Sequence, residues 1–249
     1  MKIVSKYPLL VGTAVLALTT GALYGCKDFL IDNGTPQGTL DAGTLANRAG
    51  VEGNLIGAYR TLDCTDATSS NWGCAASNWV WGSATSDDAY KGSEATDQPP
   101  IDDIELYHWA TGKSEDYLNT KWRASYEGVN RANSTLRLLK QVQEAKPGEI
   151  DDETAKGITG EAIFLRAHYH FEAWRMWGNI PYYRQDDTTY KKPNLQSDAV
   201  VTEIMKDLDE AIGLLGPEPR NGQKGRADQW TAKAYKAALR CIPASSLKP

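Results

Sequence analysis

Apolar side chains recur every three or four positions in five stretches of the chain, the period of helices with one or more buried faces. Thr44 stands as an N-cap candidate before Leu45, Ala49, Ile56, Tyr59 and Leu62, which predict a first helix running up to Cys64. Ser114 opens the clearest pattern, in which Leu118, Trp122, Tyr126, Val129, Asn133, Leu136 and Leu139 form one stripe until Lys146, Pro147 and Gly148 stop it. After an Asp151 cap, Ile158, Ala162, Leu165, Tyr169 and Met176 line one side of the next helix. Ile163, Ala167, Trp174 and Trp177 line another, so this helix is expected at the centre.

Gly157 and Gly160, inside that central helix, each cost about 1 kcal/mol and predict the close approach of another backbone. Gly178, Asn179 and Pro181 end it. A further helix is expected from a Ser197 cap through Val201, Ile204, Leu208, Ile212 and Leu215, and a last one from near Asp228, with Trp230, Ala234, Ala237 and Cys241 on one face. No segment alternates as a strand does, so the fold class is all-α. Short connections predict antiparallel helical hairpins, stacked in a tetratricopeptide-like manner.

Residues 63 to 113 interrupt this period. They hold Trp72, Trp79, Trp81 and Trp109 among Gly, Ser, Asp and Pro, and a loop of this length in a compact protein is functional or disordered; its aromatic content argues against disorder. Sugar binding requires flat apolar faces for the C–H side of a ring and polar groups for its hydroxyls. Trp72, Asn78, Trp79 and Trp81 offer both and are the candidate ligand-binding residues, with Trp79 and Trp81 foremost. The alternative is that these tryptophans anchor the loop to the helices.

The N-terminal 25 residues have the three parts of a secretory signal: Lys2 and Lys6, an apolar core from residue 9 to 18, and small residues ending at Gly25. The core is too short to span a bilayer, and no later stretch is longer. Leu23, Tyr24 and Gly25 lead into Cys26 in a pattern resembling the bacterial lipobox, so Cys26 is expected to carry a lipid anchor. Lys27 and Asp28 resemble the short signal that routes some lipoproteins to the outer cell surface. Residues 26 to 43, rich in turn formers, read as a tether to a helical domain spanning residues 44 to 249.

Charge and cysteines narrow the function. Losing Lys2 and Lys6 with the signal would take the formal net charge from −5 to −7, which does not suit a nucleic acid partner. Of the four cysteines, Cys64 and Cys74 flank a polar loop and are disulfide candidates in an oxidising compartment, with free thiols the alternative; Cys241 stands alone. No cysteine and histidine spacing suggests a metal, and no cofactor is expected. Asp87 with Asp88 and Asp102 with Asp103 raise a glycoside hydrolase reading, but neighbouring acids in a loop rarely supply both roles across a scissile bond. His168 and His170 point to different sides of a helix and cannot share a metal. Glu161 and Arg166 read as structural partners, since no nucleophile accompanies them.

GEAIFLRAHYHFEAWRMWGNIP, residues 160 to 181, resembles the signature helix of the SusD/RagB family of outer-membrane lipoproteins. Cys26 with Asp28, Phe29 and Leu30, the trio Gly57, Ala58 and Tyr59, WGSATSDDAYKG at residues 81 to 92, YEGVNRAN at 126 to 133, Asp207 with Leu208 and Ala211, and GRADQWTAKAYKAAL from Gly225 resemble other parts of it in order. The resemblance implies tetratricopeptide-like helices and a non-enzymatic surface protein that binds glycans or other nutrients. Such a protein delivers its ligand to a TonB-dependent, SusC-like outer-membrane transporter. A protein-interaction scaffold that binds no sugar is the other class of function these helices allow. Family members run to roughly twice this length, as larger domains can, so the chain reads as an N-terminal part, truncated at its C-terminal end.

Overall fold

The computed structural model describes residues 42 to 64, 74, 78 to 86, 88 to 109 and 115 to 242. All regular structure among them is helical: α1 (Ala42–Leu45), α2 (Arg48–Arg60), α3 (Pro99–Glu105), α4 (Glu115–Ala145), α5 (Asp152–Trp177), α6 (Ser197–Leu214) and α7 (Gln229–Cys241), with 3-10 turns at Thr61–Asp63 and Arg220–Gly222. Cys26, Trp72, Asp87 and Ser114, along with the signal segment, lie outside the described residues.

The starts of α5 and α7 follow the sequence closely. Asp151 accepts from the backbone N–H of Thr154 (2.8 Å), and Asp228 from that of Thr231 (2.7 Å), each satisfying an orphan donor of a first helical turn. Thr44 is not a cap, because it lies within α1; Asn47 caps α2 instead, accepting from Gly50 N–H at 2.9 Å. That one break moves the buried face of α2 to Val51, Leu55 and Ala58 and leaves Ile56 exposed. Ser197 is likewise the first residue of α6 rather than its cap, and its hydroxyl accepts from Trp174 Nε1 at 2.8 Å.

Helix α4 packs against α2 and α5, α5 against α6, and α6 against α7. Trp122, early in α4, meets Trp177 at the end of α5 with ring centroids 4.9 Å apart, as antiparallel neighbours require. Helix α5 is buried almost all round between Ile158 and Trp174, which its two apolar stripes require. Its glycines admit side chains rather than a backbone: a Cβ on Gly157 would lie 2.8 Å from Arg220 Cδ, and one on Gly160 would lie 3.0 Å from Leu214 and Leu215. On α7, Ala232 and Leu239 are buried while Trp230 is exposed, so its inward face is rotated from the expected one.

The described part of the irregular region holds a helix that its sequence does not suggest. Pro99 and Pro100 start α3 rather than breaking the chain, since proline suits the first turn of a helix. Ile101 and Ile104 from α3, Val80, and Tyr117 from α4 make a second small core. Trp79 and Trp81 are half-buried and pack against it.

Candidate functional site

Residues 78 to 109 fold onto the main stack through Asn78. Its backbone is left-handed (φ 51°), a conformation asparagine tolerates better than most residues, and its carbonyl accepts from Trp81 N–H at 3.0 Å and Gly82 N–H at 2.7 Å. Its side-chain Nδ2 donates to Glu172 Oε2 (2.5 Å), and its Oδ1 accepts from Lys121 Nζ (2.5 Å). Lys121 and Glu172 are themselves a buried ion pair at 3.1 Å. Burial pushes the Glu172 carboxyl up, but Lys121, His168 and Arg175 together hold it below its ordinary value. Both ends of the Asn78 amide are therefore engaged, and its work here is to pin the loop.

The aromatic residues placed by that anchor form a ledge. Trp81 meets Trp109 edge-on at 6.1 Å, and Trp109 stacks on Tyr107 at 5.8 Å with their planes 16° apart. Tyr107 is 65% exposed and Trp109 45%. Their polar tips are tied down: Trp109 Nε1 donates to the Ile104 carbonyl (3.0 Å), and the Tyr107 hydroxyl donates to the Thr85 carbonyl. Tyr107 also has a left-handed backbone (φ 57°), a local strain that the surrounding structure must maintain. The rings are thus held rigid with apolar faces towards solvent, which lowers the entropy lost when a flat ligand settles on them.

Trp79 is directed differently. It lines a cavity of about 400 Å³ with Lys91, Ser93, Asp97, Gln98 and Ile101. Lys91 closes this part of the loop, its Nζ donating to the carbonyls of Glu94 (3.2 Å) and Asp97 (2.7 Å) and to Asp102 Oδ2 (2.6 Å). Of the candidate ligand residues, the structure brings Asn78, Trp79 and Trp81 into one segment. Sequence reasoning named Trp109 only as a loop aromatic and missed Tyr107, because the ledge depends on ring contacts across the loop.

The acids and histidines serve the framework. Asp102 is held by Lys91, and Asp88 lies on an exposed turn. Glu161 accepts from Arg220 Nε (2.6 Å), Arg226 Nη1 (3.0 Å) and the Tyr59 hydroxyl (2.8 Å). Arg166 does not meet Glu161; it grips Asp207 with Nε at 2.6 Å and Nη2 at 2.9 Å, and Tyr182 and Arg184 also donate to Asp207. His170 Nε2 accepts from Tyr183 N–H (3.2 Å), which leaves Nδ1 to donate to the Arg166 carbonyl (3.0 Å). His168 Nδ1 pairs with the Tyr235 hydroxyl at 2.8 Å. Burial pushes His168 down to about 4 and His170 down to about 3, so both rings are neutral near neutral pH.

Cys64 and Cys74 are joined as a disulfide, with Cα atoms 5.4 Å apart, beside Ala124 of α4. Cys241 is free and exposed. Among the described residues no group of three or more His, Cys, Asp or Glu is placed to hold a metal ion. No described helix is long and apolar enough to cross a membrane.

The described residues thus form a helical stack that carries an aromatic ledge on its long connection. A SusD-like family described as starch-binding and associating with the outer membrane matches residues 66 to 239, and the chain belongs to that family. It is similar to SusD-like protein P38 of Formosa agariphila, 27% identical over 137 residues that cover 53% of this chain and 25% of that protein. Among solved structures it resembles surface glycan-binding protein A from Bacteroides fluxus, with 27% identity, a TM-score of 0.63 and coverage of 78% of this chain and 39% of that one. It also resembles a laminarin-binding SusD-like protein, with 26% identity, a TM-score of 0.64 and coverage of 78% and 40%. The chain thus spans about a quarter of the curated relative's length and about two fifths of these solved ones.

Proposed function

We propose that this protein captures oligosaccharides at the cell surface on the ledge of Trp81, Tyr107 and Trp109 and passes them to a TonB-dependent, SusC-like transporter, without covalent chemistry. The observation that carries this reading is the ledge itself: three linked rings, of which Tyr107 and Trp109 have engaged polar tips and exposed surface, on a segment anchored by Asn78 to a buried ion pair. Aromatic faces of this kind suit the C–H side of pyranose rings. The non-enzymatic reading is supported by Asp102, which Lys91 holds, and by Asp88, which stands on an exposed turn. Trp72, a ligand candidate from the sequence alone, belongs to the same proposal.

Anchoring is proposed through a lipid on Cys26, and the Cys64–Cys74 bond fits a protein exported to an oxidising compartment. Mass spectrometry of the membrane-extracted protein tests the anchor: a diacylated or triacylated peptide beginning at Cys26 is expected, and an unmodified cysteine there refutes it. Laminarin is the first ligand to test, because a relative 26% identical is a laminarin-binding protein. Affinity electrophoresis should show retardation by laminarin or another neutral glucan, with no release of reducing sugar.

A further inference from the structure

A second cavity, of about 360 Å³, lies between α4 and the segment that follows α5, and shares no residue with the ledge. Its volume is in the range of small-ligand sites. Two rings form its inner corner: Tyr126 and Tyr183 meet at 87° with centroids 5.9 Å apart, and Trp122 lies against Tyr126 at 4.6 Å. The hydroxyls of both tyrosines are already used, Tyr126 donating to the Pro181 carbonyl (2.9 Å) and Tyr183 to the Tyr190 carbonyl (2.6 Å). These residues therefore offer the cavity ring surface and not hydrogen-bonding tips.

The far wall is a built turn. Asp187 accepts from the backbone N–H of Arg184 at 2.7 Å, and Lys192 closes on Asp187 at 2.8 Å. Arg184 is paired with Glu203 (2.8 Å) and Asp207 (3.0 Å), which fixes the turn to α6. At the rim stand Asn130, an exposed amide on α4, and Tyr190, a ring 86% exposed. A tyrosine left this open beside an aromatic cavity contributes little to folding.

The charges of the wall decide the class of ligand. Arg184 and Asp187 both have partners of opposite sign within the protein, and Arg137 at the edge donates to the Gln185 carbonyl (3.3 Å) and the Ser134 hydroxyl (2.8 Å). What remains for a ligand inside the wall is ring surface and the neutral Asn130 amide, while Arg137, whose two partners are neutral, keeps its positive charge at the outer edge. We infer that this cavity is a second carbohydrate-binding site that takes one neutral pyranose unit of a glycan chain, stacked on the Tyr126 and Tyr183 corner with Asn130 reading a hydroxyl. The inference rests on the proposal that the protein binds glycans, and it adds a second point of attachment, which raises the avidity for long chains over short ones.

The test is calorimetric titration of the full chain with laminarihexaose, maltohexaose and an oligogalacturonide. One variant pair removes the ledge (Trp81→Ala with Trp109→Ala). The other alters only exposed side chains of the cavity (Asn130→Leu with Tyr190→Ala), so folding is preserved. The cavity pair should weaken binding of a neutral hexaose roughly tenfold, equivalent to about 1.4 kcal/mol, and the ledge pair should leave residual binding that disappears when all four changes are combined. Wild-type affinity in the cavity pair overturns the second site while leaving the ledge standing. Binding that is lost in the cavity pair and intact in the ledge pair overturns the ledge alone. A preference for the oligogalacturonide, or no binding of any of the three sugars by the wild type, overturns the second site as stated.

Discussion

Inside the helical stack, Asp207 is completely buried and accepts hydrogen bonds from Arg166, Tyr182 and Arg184, so a charge in the core is fully matched. On the segment of residues 78 to 109, the polar tips of Tyr107 and Trp109 are matched as well, but both rings present much of their surface to water. Around Asp207 the stack turns its polar groups on one another. The loop buries Val80, Ile101 and Ile104 and ties the tips of Tyr107 and Trp109, and the exposed faces of those two rings are what a ligand can use. Substitution of Asp207 should therefore fail by unfolding and substitution of the ledge rings by loss of binding.

The largest effect is expected in the stack. Asp207→Ala strands Arg166 in the core, and removal of one partner of a buried pair costs about 3 to 5 kcal/mol, so urea denaturation should show a much lower midpoint or no folded protein. The disulfide joins the two regions, since Cys64 follows the turn after α2 and Cys74 leads towards the loop. Opening this bond, with its sequence separation of 10, should cost about 3 kcal/mol by loop-closure entropy. A Cys64→Ser, Cys74→Ser protein compared with the oxidised wild type in the same denaturation measures that cost. Unchanged stability would mean that the Asn78 contacts to Lys121 and Glu172 and the small core around Tyr117 hold the loop without the bond.

The buried histidines give the stack a pH dependence. Their folded-state values are depressed to about 4 and about 3, below the ordinary 6.5, so the unfolded chain binds more protons as pH falls. Stability is then full above about pH 6.5 and declines as pH drops towards 4, by up to about 1.4 kcal/mol per pH unit for each histidine. Urea midpoints between pH 7 and pH 5 should fall accordingly, and a His168→Gln, His170→Gln protein should show a flatter profile across that window.

How far the sequence revealed this division depends on the residue. The caps Asp151 and Asp228 were legible because a cap is a local device, and the buried helix α5 was legible because it is apolar on two sides. Asn47 was missed because the apolar period continues from Leu45 across the break between α1 and α2. Helix α3 was missed because Pro99 and Pro100 read as turn residues, although the first turn of a helix accepts them. The partners of Glu161 were hidden because Arg220 and Arg226 lie 59 and 65 positions away. The aromatic character of the loop was plain, yet the geometry that makes Tyr107 part of a ledge arises only once α3 brings it beside Trp109 and Thr85.

The smallest energetic change, and the most informative, lies on the ledge. Trp81→Ala with Trp109→Ala removes half-exposed rings from the surface of the small second core, so helical content should be retained. Titration of laminarihexaose into this variant and the wild type, with thermal melts run alongside, tests the central claim that the loop's open ring faces bind sugar. Binding should weaken by about 1 to 3 kcal/mol, the size of one or two lost aromatic contacts, while the melt shows a cooperative transition in both proteins. Wild-type affinity in a variant that lacks both tryptophans would contradict the account.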